Sequence, residues 1–227
     1  MKSWTTIRGA LIMKILALEF SSAQRSVAVA CGTAHVREVI DTSPGRGMQP
    51  FGMIQSAIEA AGIGRNEIEC IAVGLGPGSY NGIRAGIALA QGWQLARDVK
   101  LLGISSVEGM ATQAQADGLR GTAHVVVDAQ RGEFYLATWE LADATARETQ
   151  PLRIVSRDTV ETLATGGGLL IGPEVTRWFP AARTIHPRAA TLAGLAATRT
   201  EFVAGDTLEP IYLRETAFVK APPARVV

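Results

Sequence analysis

One helix studded with glycine limits what this chain can fold into. Residues Ile71–Arg97 read IAVGLGPGSYNGIRAGIALAQGWQLAR. The opening Ile71-Ala72-Val73 is a short apolar run of the kind that forms a buried strand. Gly74, Gly76, Pro77 and Gly78 break the chain, and Ser79 suits an N-cap, its hydroxyl accepting from a free N–H of the turn that follows. Beyond it, Gly82, Gly86 and Ala90 recur every four residues and so share a face, with Ile83 and Ile87 beside them. A glycine inside a helix costs roughly 1 kcal/mol relative to alanine, so with Gly92 included this helix gives up roughly 2–3 kcal/mol of propensity. Another backbone lying close against the nearly bare face would compensate, either inside the fold or between chains.

The chain has 227 residues, 47% of them hydrophobic and 19% charged, which is enough for a sizeable core in one large or two small domains. Its formal net charge of +1 speaks against a broad electrostatic footprint for nucleic acid or an anionic membrane. Cys31 and Cys70, the two cysteines, lie in unrelated apolar runs without a ligand-spaced partner, as buried free thiols of a reducing compartment do. No apolar run reaches the roughly 18 residues of a membrane span. Lys2 and Arg8 ahead of Gly9–Leu18 imitate a signal peptide, but Lys14 interrupts the run and no good cleavage site follows. Residues 1–12 read as an extension before a strand that starts at Ile15, and the expected location is cytoplasmic.

In order, Ile15–Phe20, Ser26–Cys31 and His35–Ile40 read as an antiparallel meander, with Gly32-Thr33 as one turn. Asp41–Gly47 is a loop. Phe51, Ile54, Ala57, Ile58 and Ala61 mark one face of a helix over Met48–Ala61, stopped by Gly62. Strand Glu69–Val73, the glycine-rich helix, strand Leu101–Ile104 and a helix from Ser105 or Ser106 to Ala116 complete a βββαβαβα half. The second half restarts with His124–Asp128, a turn at Gln130-Arg131-Gly132 and strand Glu133–Glu140. It continues with a strand near Leu152–Val155, a helix capped by Asp158, a strand Leu169–Ile171 and helices near Glu174–Trp178 and Ala189–Phe202. The tail Ala221–Ala224 is Pro-rich. Both halves open with a strand ending in an acid, so a structural duplication is expected, divided between Gly103 and Gly121.

Few residues offer chemistry. The Gly74–Gly78 turn resembles a phosphate cradle. It lacks the lysine of a Walker loop, however, and has Ser79 where a dinucleotide fingerprint needs glycine, so a tight strand-to-helix turn is the plainer reading. Glu19 and Asp128 each end the first strand of a half. Facing each other across a cleft they could hold Mg²⁺ and a nucleotide phosphate, and equally each could cap the polar turn that follows it. His35, His124 and His186 are not spaced for a helical metal site, and no nucleophile elbow appears around Ser79. This thin inventory favours a binding or scaffolding role over catalysis.

Five segments together resemble the TsaB (YeaZ) family. They are Ile15–Ser22 with Ser26–Val29, Gly76-Pro77-Gly78-Ser79-Tyr80-Asn81-Gly82-Ile83-Arg84-Ala85-Gly86, Gly103–Glu108, Asp128–Tyr135 and Pro210-Ile211-Tyr212-Leu213-Arg214. They occur in the family's order and span nearly everything from residue 13 onward. The resemblance implies an α/β protein of two ribonuclease-H-like lobes, the actin/sugar-kinase/Hsp70 (ASKHA) fold, here residues 13–106 and 107–227. It implies a non-catalytic scaffold for N6-threonylcarbamoyladenosine (t6A) modification of tRNA. The partners would be a catalytic paralogue, TsaD, which transfers the threonylcarbamoyl group, and a small ATPase, TsaE, with tRNA met only through the complex and no membrane. The catalytic paralogue carries two metal-binding histidines in a segment like His-Met-Glu-Gly-His. The matching stretch here is Ser106-Val107-Glu108-Gly109-Met110, whose hydroxyl and thioether make a poor metal site. Glu19 replaces the family's more usual Asp, and Tyr80-Asn81 its more usual Phe-Thr. With no tightly bound cofactor expected, ATP or ADP would bind only at the partner interface.

The pairing surface implied is built from first-lobe helices. Ile54, Ile58, Gly82, Ile83, Gly86, Ile87 and Ala90 are the residues expected to meet the partner, or a second copy when the partner is absent. On that expectation Gly86→Leu abolishes pairing and leaves the monomer folded. Failure to fold would put the small face in the core. The alternatives are an ATP-dependent enzyme of the kinase/ATPase class using Glu19 and Asp128, and a metallopeptidase, which the missing histidines disfavour.

Overall fold

The computed structural model describes residues 13–32, 35–43 and 49–214. The expected extension at 1–12, Thr33 of the first turn, Met48 at the helix start and the tail at 221–224 lie outside them.

Two five-stranded sheets form the frame. The first holds β1 (Lys14–Glu19), β2 (Arg25–Cys31), β3 (His35–Asp41), β4 (Cys70–Gly74) and β5 (Lys100–Ile104) in the order β3-β2-β1-β4-β5. β2 is antiparallel to β1 and β3, while β4 and β5 run parallel to β1. The second holds β6 (Gly121–Asp128), β7 (Glu133–Leu141), β8 (Ala146–Ser156), β9 (Leu169–Gly172) and β10 (Arg183–Thr184) in the order β10-β9-β6-β7-β8. Read from the other edge, this is the same meander-then-parallel arrangement. The structure is thus two mixed-sheet α/β lobes of the ribonuclease-H-like, ASKHA kind.

Alternation along the strands sorts the side chains into layers. Leu16 and Leu18 of β1, with Phe20 just beyond it, point to one face of the first sheet, where α1 (Pro50–Ala61) and α2 (Tyr80–Arg97) lie side by side. Ile15 and Ala17 point to the other face together with Ala28, Ala30, Cys70 and Ala72. These small side chains let a helix approach closely. That helix is α5 (Ala189–Ala196), which buries Ala189, Leu192, Ala193 and Ala196 there. In the second lobe, α3 (Ser106–Ala116) covers Val125 and Val127, and α4 (Arg157–Thr165) covers Val126, Phe134 and Leu136.

The division at residue 106 needs correcting at its far end. Helix α5 packs on the first sheet, Val203 N–H donates to Leu101 O (3.0 Å), and Leu208 is buried in the first lobe's core. Residues 189–208 therefore complete the first lobe and do not extend the second. The start of α5 is capped from across the chain. Ser26 Oγ accepts from Ala189 N–H (2.8 Å), Glu38 Oε1 accepts from Ala190 N–H (3.1 Å), and Glu38 Oε2 takes Arg188.

Several boundaries also differ from the sequence reading. β8 is an edge strand of eleven residues, longer than the four expected, because polar Arg147–Gln150 carry no hydrophobic period. Ser156, not Asp158, caps α4, its hydroxyl accepting from Thr159 N–H. The helix expected at 174–178 is one 3₁₀ turn, Val175–Arg177, and α5 ends at Ala196.

Candidate functional site

Glu19 is the structural centre of the glycine-rich end. It is fully buried where β1 stops. Its Oε1 accepts from Ser21 N–H (2.8 Å) and its Oε2 from the Ser106 hydroxyl (2.7 Å). Ser106 Oγ in turn accepts from Gly76 N–H (3.2 Å), and Ser106 N–H donates to Gly76 O (2.9 Å). A Cβ on Gly74 would fall inside 3.0 Å of the Glu19 carboxylate, which is why β4 ends in glycine there. Burial pushes the Glu19 carboxyl above its ordinary value, against the pull of the Ser21 and Ser106 hydrogen bonds. The structure thus gathers Glu19, Gly74, Gly76 and Ser106 into one closed polar knot.

Asp128 does the equivalent task at the end of β6. Its Oδ1 accepts from Gln130 N–H (2.8 Å) and its Oδ2 from Gln130 Nε2 (3.1 Å). Gln130 and Arg131 take left-handed φ values of 64° and 60° to make that turn. Each acid therefore bonds the residue two places on, as in the turn-capping alternative. Among the described residues no group of three or more His, Cys, Asp or Glu is placed to hold a metal ion.

The glycine-rich turn presses on the exit of β1. Ser79 N–H donates to Ser21 O (2.7 Å), and a Cβ on Gly78 would collide with that same carbonyl. Ser79 caps α2 as expected, its Oγ accepting from Gly82 N–H (3.3 Å). Gly82 itself sits against the carbonyl of Phe20. These contacts match the tight strand-to-helix turn.

The face expected to meet a partner needs correction. Ile54, Ile58, Ile83, Ile87 and Ala90 are at most 6% exposed, and Gly82 and Gly86 are buried with them. The backbone approaching the bare face belongs to this same chain, at Phe20, with Val73 under Gly86. All seven residues belong to the first lobe's own interior, so that face is not available to a second chain.

The outward face of α2 is what the sequence reading missed. Asn81, Arg84, Ala88, Gly92, Leu95 and Ala96 are exposed along it. Leu95 is 90% exposed, and the space around Gly92 is open. On α1, Phe51 is 72% exposed. The signal in the sequence was Gly92, two places after Ala90 and so off the inner stripe.

Cys31 and Cys70 are free, as expected. Burial pushes the Cys70 thiol up to about 12 and raises that of Cys31 as well, which makes both poor nucleophiles. His124 is a core residue whose Nδ1 pairs with Thr138 Oγ1 (3.0 Å).

Residues 51–198 match the family described as TsaD: tRNA N6-adenosine threonylcarbamoyltransferase. The chain is 25% identical over 194 residues to the tRNA threonylcarbamoyladenosine biosynthesis protein TsaB of Escherichia coli (strain K12), covering 76% of this chain and 82% of that protein. It is 29% identical over 127 residues to TsaB of Haemophilus influenzae, covering 55% of this chain and 53% of that one. The solved structure of YeaZ from Pseudomonas aeruginosa superposes with a TM-score of 0.75 at 22% identity, over 88% of this chain and all of that one.

Proposed function

The chain belongs to the TsaD family of tRNA N6-adenosine threonylcarbamoyltransferases, in its TsaB/YeaZ branch, and from that premise we propose that it is a non-catalytic subunit of t6A synthesis in tRNA. Its role is to pair with a TsaD-like catalytic paralogue and support it, together with a TsaE-like ATPase. The observation that carries this reading is the outer face of α1 and α2. Leu95 and Phe51 stand almost free of their own chain, and Gly92 offers a place where a second helix can lie close. Gly92 and Leu95, three residues apart, share one face of α2, so a large exposed apolar side chain stands beside open helix surface.

Ser106 supports the non-catalytic half of the proposal. By resemblance it stands where the catalytic paralogue has a metal-binding histidine. Here its hydroxyl is wholly engaged, donating to Glu19 and accepting from Gly76. Met110, at the second such position, is 1% exposed and packs in the second lobe's core. Nucleotide, if the complex uses it, would bind at the partner interface, because Glu19 and Asp128 are both committed to their own turns.

The test is reconstitution. TsaD-like, TsaE-like and adenylate-forming proteins of the same organism are combined with tRNA, threonine, bicarbonate and ATP, and threonylcarbamoyladenosine is measured by nucleoside analysis. Product is expected only when this chain is present, and Leu95→Glu is expected to lower it at least tenfold and to abolish co-elution with the TsaD-like protein. Equal product with and without the chain refutes the role. Unchanged co-elution of folded Leu95→Glu refutes the surface.

A further inference from the structure

The path of residues 203–214 carries an inference that does not rest on the pairing role. This segment starts on the first lobe and ends on the second. Gly205 N–H donates to Gln94 Oε1 (2.8 Å), and its carbonyl accepts from Gln91 Nε2 (2.8 Å), which fixes it to α2. Leu208 is buried in the first lobe's core. Ile211 N–H donates to Leu75 O (2.9 Å), and the Tyr212 ring lies 5.3 Å from that of Tyr80, centroid to centroid. Arg214 Nη2 then reaches the second lobe, donating to Ala129 O (3.1 Å) in the turn after β6 and to Glu133 Oε2 (2.7 Å) at the start of β7.

The chain crosses between lobes at 104–106 and again at 184–189, and this segment makes a third crossing. The first and third run together. Leu75 N–H donates to Ile104 O (2.9 Å) while Leu75 O accepts from Ile211, so one residue is bonded to both. Gly76, next to it, holds Ser106 at the start of α3. Two lobes joined only by the crossings at 104–106 and 184–189 can still swing about the line through them. A second strand of chain, bonded to the same hinge residue and fastened to the far lobe, resists that swing.

We propose that residues 208–214 are a splint across the inter-lobe crossing, closed by Arg214, that holds the two lobes at one angle. Glu19 and Asp128, at the strand ends on either side, then stay in their turns instead of taking part in a cleft that opens and closes.

Hydrogen exchange of the full chain tests this at single amides. Arg214→Ala removes the two hydrogen bonds that Arg214 makes to the second lobe and leaves Tyr212, which senses Tyr135 of β7, in place. Exchange at Leu75, Ser106 and Ile211 is expected to quicken at least threefold, although Arg214 touches none of them, while Met53 and Ile54 in α1 keep their rates. Arg214→Lys, whose ammonium can reach the same two acceptors, is expected to return the rates at least halfway to those of the unmodified chain. Faster exchange confined to Ala129–Glu133, no change anywhere, or equal acceleration in α1 each overturns the splint: the first makes Arg214 a local anchor, the last an ordinary stability contact.

Discussion

Alanine substituted at three glycines of α2 should have three different effects. Each replacement gains roughly 1 kcal/mol of helix propensity, so the sign depends on what the new methyl meets. At Gly92 it meets nothing within 4 Å, and the gain stands: Gly92→Ala should stabilise by about 0.5–1 kcal/mol. At Gly86 the methyl would lie 3.3 Å from Val73 Cγ1 and 3.5 Å from Phe20 Cδ2, both side-chain atoms able to yield slightly. Loss and gain should cancel to within about 1 kcal/mol. At Gly82 it would lie inside 3.0 Å of the Phe20 carbonyl oxygen and 3.1 Å from its carbon. A backbone cannot yield alone, so the first turn of α2 must lift from β1, straining the Ser79 cap and the Ser79–Ser21 bond. Overpacking of this kind costs about 1–3 kcal/mol, and the lost cap about 1 kcal/mol more, so Gly82→Ala should destabilise by about 1–3 kcal/mol after the propensity gain. Urea unfolding at 25 °C measures all three. A Gly82→Ala chain as stable as the original, or a Gly92→Ala chain less stable, refutes the assignment of inner and outer faces.

Burial raises the Glu19 carboxyl, so the folded chain holds that proton to higher pH than the unfolded chain does. Its contribution is therefore greatest below the ordinary value of 4.5 and is lost as pH rises through the raised one. Glu19→Gln, which cannot ionise, should gain on the original chain as pH climbs from 4.5, and a stability difference flat with pH would contradict this. At the start of α5, Ser26→Ala should cost about 1 kcal/mol as a lost cap. Glu38→Ala, which strands both Ala190 N–H and Arg188, should cost about 1–3 kcal/mol, again by urea unfolding. Equal stability of both variants with the original would show that α5 is held by its alanines alone.

How much of this was legible in the residues follows from where each signal lives. The opening strand of each lobe, the Ser79 cap and the acid at each strand end are local, and short-range chemistry revealed them. The two sheets' common order was foreshadowed by the repeated strand–acid–turn theme. The inward face of α2 was not decidable locally, because the helix is small on both sides: Gly82, Gly86 and Ala90 inside, Ala88, Gly92 and Ala96 outside. What settles it is the Phe20 carbonyl, a backbone atom with no residue-type signature. The same holds for Ser106, whose partner Glu19 is 87 residues away, and for α5, whose caps are 163 and 152 residues away. The polar edge strand β8 carries no periodicity to read.

The return of α5 has a consequence for how the chain is made. A ribosome delivers the first sheet in the first hundred or so residues, but the helix that covers its second face comes only after residue 189. Until then Ile15, Ala17, Ala28, Ala30, Cys70 and Ala72 face water or whatever finds them first. Although α1 and α2 are in hand early, the first lobe cannot finish before the second has been synthesised. From the end of β5 at Ile104 until α5 begins at Ala189 the nascent chain thus carries a bare sheet face, the kind of surface that self-association exploits. Folding of the first lobe in the order of synthesis is closed to this topology, because residues 189–208, which complete it, follow the whole second sheet.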